Sequence, residues 1–206
     1  MTTRIVVLAS GNGSNLQALL DASADGRLNA RIVAVVSNNA EAFAHSRAAN
    51  SGVPSLSVTK LPDETREQYD TRLGEAVAAF QPHFVVLAGW MRILTMPFLS
   101  AFPNQVINLH PALPGEFPGT HAIERAHAEH QQSGLTRTGV MVHYVPDERV
   151  DEGDVIASVE VPIAPLDSLK TLEARVHAAE HTLLVQAMQQ LAQAHDRNHP
   201  APKPNQ

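Results

Sequence analysis

The chain has no cysteine among its 206 residues, which excludes disulfides, thiolate nucleophiles and cysteine-held metals. Aromatic residues are scarce at 4%, so the core must rest on Val, Leu, Ile and Ala. Positive charge is also short: 15 Lys and Arg stand against 21 Asp and Glu, and the cations form no run. Nucleic acid is therefore not an expected partner, because phosphate neutralisation needs clustered cations. No apolar run reaches membrane-spanning length, and the N-terminal residues lack the apolar region of a secretory signal. The expectation is a cytoplasmic protein without membrane contact. The length suits one domain with a single core.

Against these absences stands one informative stretch, Gln105-Val106-Ile107-Asn108-Leu109-His110-Pro111. A short apolar run reads as a buried strand. Asn108 and His110 are two residues apart, so they share one face of it. Pro111 has no N–H for a ladder and ends the pairing. An amide and an imidazole then stand side by side at the strand end where open α/β sheets bind ligands. An amide donor beside a proton carrier suits acyl transfer. The same residues also suit a capped strand end with a structural histidine.

The rest of the chain alternates strand and helix. Residues 5–9 read as a strand, followed by Ser10-Gly11-Asn12-Gly13-Ser14-Asn15 and then Leu16-Gln17-Ala18-Leu19-Leu20 at helical spacing. The glycines permit close backbone approach, and Ser14 and Asn15 are good capping residues. The new helix directs free N–H groups at the loop, which suits an anion. The Gly-Lys-Ser/Thr ending of a P-loop is absent, and Leu16 occupies the third glycine position of a dinucleotide fingerprint. A single phosphate group is the expected ligand; a tight turn without a ligand is the plainer alternative.

Further strands are expected at 31–37, 55–58, 84–88, 138–145 and 155–163. Helices are expected at about 40–50, from Pro62-Asp63-Glu64-Thr65 onward, at 97–102, at about 121–132, and from an Asp167-Ser168-Leu169 cap to about 194. The apolar loop Gly89-Trp90-Met91-Arg92-Ile93-Leu94 leaves a strand at the ligand edge, where it serves either a flat apolar ligand or the packing of the next helix. Three prolines and two glycines stiffen the loop 111–121. His127 and His130 are expected to be exposed, without the spacing of a metal helix. In the acidic loop 146–154, one carboxylate reaching back to His110 would favour its charged form. Arg66 could reach a carboxylate ligand, and Glu180 reads by itself as a solvated helix position. Residues 195–206 read as a disordered tail.

Taken together, the segments 10–15, 88–94, 108–111 and 150–156 resemble phosphoribosylglycinamide formyltransferase, the folate-dependent formyltransferase family of purine biosynthesis. The resemblance covers nearly the whole chain. It implies an α/β fold: an open, mostly parallel Rossmann-like sheet with helices on both faces, an antiparallel strand excursion near the C-terminus and a long final helix. One formyltransferase domain is implied over 1–194, with a nucleotide-binding half to about 100 and a folate and catalytic half from 101. The implied reaction moves a formyl group from 10-formyltetrahydrofolate, as co-substrate, to the amine of glycinamide ribonucleotide, with no metal.

Asn108, His110 and Asp151 match the family's catalytic trio. Gly13, Ser14, Asn15, Leu16 and Gln17, with Glu180, match its ribonucleotide-binding positions. Arg66, Met91, Arg92, Ile93, Leu94 and Asn108 match its folate contacts. Partners would be these small molecules, with the enzyme a monomer or a homodimer. Departures from the pattern are Leu113-Pro114-Gly115 in place of Leu-Leu-Pro, Trp90 in place of Phe, and a longer segment over 128–137. A 10-formyltetrahydrofolate hydrolase, and a non-catalytic folate- or nucleotide-binding module, remain as alternatives. The phosphate loop speaks against the first, since water needs no phosphate site.

Overall fold

The computed structural model describes residues 2–199. Strands β1 (Thr3–Leu8), β2 (Ala30–Ser37), β3 (Ser55–Ser57), β4 (Phe84–Leu87) and β5 (Val106–His110) run parallel; β6 (Arg137–Tyr144) pairs antiparallel with β5, and β7 (Val155–Pro162) antiparallel with β6. All seven form one sheet in the order β3-β2-β1-β4-β5-β6-β7. Helices α1 (Ser14–Ala24), α2 (Ala44–Asn50), α3 (Arg66–Ala78), α4 (Met96–Leu99), α5 (Ala122–Ser133) and α6 (Leu169–Asn198) connect or follow the strands. The chain winds outward from β1 to β3, then crosses to β4 on the other side of β1. That reversal opens a crevice at the C-terminal ends of β1 and β4.

Side-chain alternation explains the two cores. Ile5, Val7, Ile107 and Leu109 face α1, α5 and α6, whereas Val6, Leu8, Val85, Leu87 and Val106 face α3 and α4. By the same parity Asn108 and His110 fall on the α3/α4 side of the sheet, at the end of β5. The antiparallel register sets His143 opposite Asn108.

Several boundaries differ from the sequence expectation. The helix expected from residue 40 starts at Ala44, whose N–H is taken by the Gly11 carbonyl (3.1 Å). The helix expected from Pro62 starts at Arg66, because Thr65 and Gln68 form a reciprocal capping box. The short helix expected over 97–102 is α4, where Thr95 gives its N–H and hydroxyl to buried Asp70 at 2.6 and 2.7 Å.

Helix α6 continues to Asn198, four residues past its expected end, so a tail does not begin at His195. Its last turns are held from outside: Asp196 accepts from Thr3 and Asn29, and the His195 ring lies 4.1 Å from that of His83. The part of the expected tail from residue 200 lies outside the described residues. His127 and His130 are half-buried rather than exposed, each with a ring nitrogen on a carbonyl, of Asp167 and Leu135 respectively. No helix among the described residues is long and apolar enough to cross a membrane.

Candidate active site

Asn108, His110 and Asp151 converge from β5 and the acidic loop. Asp151 Oδ1 accepts from Asn108 Nδ2 at 3.0 Å, and Asp151 Oδ2 lies 3.2 Å from His110 Nδ1. The Gly119 N–H donates to the same Oδ2 at 2.8 Å. Asp151 adopts φ +58°, a left-handed conformation that its short side chain tolerates better than most. The returning chain needs a glycine two residues on, since a Cβ at Gly153 would lie 1.7 Å from the Tyr144 carbonyl oxygen.

Two further groups complete the network, and neither was read from the sequence. His143 on β6 places Nε2 3.1 Å from Asn108 Nδ2, while its Nδ1 lies 2.9 Å from the Tyr144 carbonyl. A carbonyl only accepts, so a proton on His143 Nδ1 leaves Nε2 to accept from Asn108. The Phe117 carbonyl lies 3.0 Å from His110 Nε2. The signal for His143 was present in its alternation with Val142 and Tyr144. A carbonyl contact from an irregular loop leaves no residue-type signature.

The electrostatics correct one expectation. Asp151 was expected to hold His110 charged, yet the His110 pKa lies below its ordinary value. Burial of the ring is the largest cause, since desolvation disfavours the cation. Asp151 and the Phe117 carbonyl act the other way and fall short, and His143 and Arg125 add to the lowering. An imidazolium whose nitrogens both face acceptors, but whose acidity is raised by burial, is a ready proton donor. For Asp151, burial is again the largest single influence and raises the pKa, but the His143 ring, the Gly119 N–H and His110 together outweigh it and lower the net value.

At the first loop, Gly13 is the N-cap of α1, with φ +74°. A Cβ there would lie 3.1 Å from that of Ala44, so glycine is required twice over. Ser14 and Asn15, expected as caps, are instead the first residues of the helix, and no side chain caps it. Its first N–H groups are thereby left for a ligand. Asn15 is buried with Oδ1 unpartnered. Arg47, from α2, reaches over the loop and donates to the Asn12 carbonyl, Asn12 Oδ1 and Gln17 Oε1 at 2.8, 2.9 and 3.2 Å. A cavity of about 670 Å³ opens here between α1 and α6, lined by Ser14, Gln17, Arg47 and His181 among others. The Leu16 side chain lies in the core, so only its backbone can serve a ligand.

Glu180 is buried, not solvated as its helix position suggested, and its carboxylate is 2.7 Å from His177 Nδ1. That bond raises the His177 pKa above its ordinary value. The next residue, His181, has a buried Nε2 without a partner.

The loop after β4 divides its side chains. Trp90 and Leu94 pack into the α3/α4 core, while Met91 and Ile93 are exposed (69% and 48%) at the crevice. Leu94, like Leu16, can meet a ligand only through its backbone. Arg92 lies over the Tyr69 ring at 4.5 Å, and Arg66 Nη2 donates to the Ile93 carbonyl at 2.8 Å. The Met91 N–H donates to Ser10 Oγ at 2.9 Å, tying this loop to the glycine loop. Among the described residues no group of three or more His, Asp or Glu is placed to hold a metal.

The candidate site thus has two parts: the glycine turn at the head of α1 and an amide–imidazole–carboxylate network at the end of β5. A family model described as "Formyl transferase" matches residues 3–188. The chain belongs to the formyl transferase family. It is 46% identical over 203 residues to a phosphoribosylglycinamide formyltransferase of Schizosaccharomyces pombe, covering 93% of this chain and 98% of that protein. It is 39% identical over 179 residues to the phosphoribosylglycinamide formyltransferase of Escherichia coli, covering 87% and 82%. Among solved structures, glycinamide ribonucleotide transformylase 1 from Symbiobacterium toebii superposes with TM-score 0.88 at 36% identity, covering 94% of this chain and 89% of that one.

Proposed function

We propose that the family's formyl transfer is carried out here by Asn108, His110 and Asp151. The activity is transfer of the formyl group from 10-formyltetrahydrofolate to the amine of glycinamide ribonucleotide, giving formylglycinamide ribonucleotide and tetrahydrofolate. The observation that carries the assignment is the position of Asp151 at a strand end, where it accepts a hydrogen bond from Asn108 and lies 3.2 Å from His110 Nδ1. The amine attacks the formyl carbon, a C–N bond forms, and a tetrahedral oxyanion develops. Asn108 Nδ2 donates to that oxyanion, and an N–H of His110 adds a second donor. One such donor is worth about 3 kcal/mol of barrier. The C–N10 bond then breaks, and the proton lost by the amine reaches N10 by way of His110, directly or through water. Asp151 orients the imidazole throughout. The chemistry forms no covalent enzyme intermediate.

The ribonucleotide's phosphate is assigned to the backbone of Gly13, Ser14, Asn15 and Leu16, supported by Gln17 and the Arg47 guanidinium. Glu180, presented by His177, takes a ribose hydroxyl. Met91, Arg92, Ile93 and Leu94 line the folate pocket with Asn108, and Arg66 meets the folate's carboxylate end. Residues 1–194 are assigned to a single domain, in keeping with one sheet running through both halves.

Turnover of 10-formyltetrahydrofolate with and without glycinamide ribonucleotide tests the reading. Tetrahydrofolate release that requires the amine is expected; equal release without it would mean a hydrolase, and no release at all a binding module. A substrate lacking the 5′-phosphate should raise KM steeply, and an unchanged KM would remove the phosphate assignment.

A further inference from the structure

The loop between β5 and α5 is stiff, yet it contains a local oddity. Phe117 adopts φ +44°, a left-handed conformation rare for a bulky residue. Such a conformation persists only where its surroundings fix it. What fixes it is a guanidinium: Arg125, on the first turns of α5, donates from Nη2 to the Phe117 carbonyl and to the Pro118 carbonyl, both at 2.6 Å. Its Nε adds a longer bond of 3.4 Å to the His121 carbonyl. The Phe117 carbonyl that Arg125 grips is the one that faces His110 Nε2. Two residues on, the Gly119 N–H is the donor to Asp151 Oδ2. One side chain therefore fixes a three-residue span that touches both His110 and Asp151.

The geometry points to Arg125 as a positioning residue for the catalytic pair: it pins residues 117–119 so that the loop offers a carbonyl to the imidazole and an amide to the carboxylate. This rests on the reading of His110 and Asp151 as catalytic. Arg125 acts through the loop and touches no reacting atom. The charged or titratable groups facing His110 are Asp151 from the acidic loop, His143 from β6 and Arg125 from α5. Holding the loop down also keeps water from the ring, and the guanidinium itself disfavours a second cation nearby.

The test compares wild type with Arg125→Met and Arg125→Lys. The His110 imidazole is titrated by NMR in the substrate-free protein, and kcat and KM are measured across pH. In Arg125→Met the span 117–119 loosens: relief of burial, the largest influence on the ring, together with loss of the neighbouring cation outweighs loss of the Phe117 carbonyl contact, so His110 titrates at higher pH than in wild type. The kcat falls roughly 10- to 100-fold, as when reacting groups shift by about 1 Å, while KM for the ribonucleotide holds. Arg125→Lys keeps a cation and one carbonyl contact, and restores most of both readouts. Where Arg125→Met does not fold, Arg125→Gln replaces it, with the same upward shift expected.

A folded Met or Gln variant whose His110 titrates as in wild type overturns the proposal, even if activity and melting temperature drop together, since that pattern marks a purely structural arginine. A shifted titration with unchanged kcat overturns the part played in the reaction. Because the titration needs no substrate, it decides the coupling even if the chain transfers no formyl group.

Discussion

Replacing Asp151 by Asn removes one charge and almost no volume, so its effects separate electrostatics from packing. In the native site Oδ2 takes Gly119 N–H at 2.8 Å and faces His110 Nδ1 at 3.2 Å, while Oδ1 takes Asn108 Nδ2 at 3.0 Å. An asparagine has one oxygen and one NH₂. Whichever way it is flipped, its NH₂ meets a donor, either Gly119 N–H or Asn108 Nδ2. One unpaired buried donor costs about 1–3 kcal/mol. Breaking a fully charged buried pair would cost about 3–5 kcal/mol, but burial already favours neutral His110, so the lower range is expected. Asp151 is only 7% exposed, so solvent screening removes little of this. Its pKa is depressed in the folded state, so this stabilisation is present above the ordinary Asp range and fades as pH falls through the folded value. Melting temperatures of the two proteins should therefore differ at neutral pH and approach each other in acid. The kcat for formyl transfer should drop roughly 10²- to 10⁴-fold, the range of a positioned acid–base catalyst. Losing the anion also lowers the His110 pKa further, so its inflection in the pH–rate profile moves to lower pH. A variant with near-normal kcat and an unmoved inflection would refute the role given to Asp151.

Three other perturbations follow from the packing. Gly139→Ala drives a Cβ to 2.4 Å from Leu113 Cδ2 and 2.6 Å from the Val159 carbonyl oxygen, so calorimetry should show a loss of about 1–3 kcal/mol. Adding Leu113→Ala should restore only part of it, because the second clash is with backbone. Glu148→Ala frees the Met96 N–H that its carboxylate holds at 3.0 Å. Stability should change by under about 0.5 kcal/mol, as at exposed sites, while KM for the formyl folate rises; an unchanged KM would mean that this bond does not shape the pocket. The His83 and His195 rings, tilted against each other, both have depressed pKa values, burial first in each; the charge of His195 comes next for His83, and that of His199 for His195. For a base held neutral by folding, stability is complete above its ordinary pKa and declines as pH falls through it. Protection of the last turns of α6 against hydrogen exchange, taken relative to the intrinsic rate at each pH, should fall on acidification, and His195→Phe should flatten that response.

What was legible in the sequence follows the range of the interactions that fix each feature. The placement of Asn108 and His110 on one face needs only strand alternation, and β5 obeys it. The glycine turn before α1 was legible for the same local reason, although the cap is Gly13 itself rather than Ser14 or Asn15. Features set by distant partners were not legible. Glu180 looked solvated because helix periodicity says nothing about an ion-pairing His177 or about the helix packed beside it. The final helix ran past Ala194 because Thr3 and Asn29, at the other end of the chain, bind Asp196. The charge preference of His110 was inferred from one neighbour, Asp151, whereas burial by a whole loop decides it.

The same distinction explains why the substrate-free network has the form it does. Asn108 Nδ2 has two hydrogens, and they face Asp151 Oδ1 and His143 Nε2. His110 likewise faces an acceptor at each nitrogen. Every donor proposed for the oxyanion is therefore already satisfied before substrate arrives, as buried polar groups must be. A formyl oxygen in the ground state is a weaker acceptor than the carboxylate it would displace, and gains little. A developing oxyanion carries comparable charge and competes on equal terms. The arrangement thus favours the transition state over the bound substrate, which is the requirement for raising kcat rather than lowering KM alone. His143→Phe frees one Asn108 hydrogen from its partner, leaving a donor unpaired in the resting protein but available to substrate. It should lower KM for the formyl folate while leaving kcat lower or unchanged, and a higher KM would show that His143 holds Asn108 in place instead of competing for it.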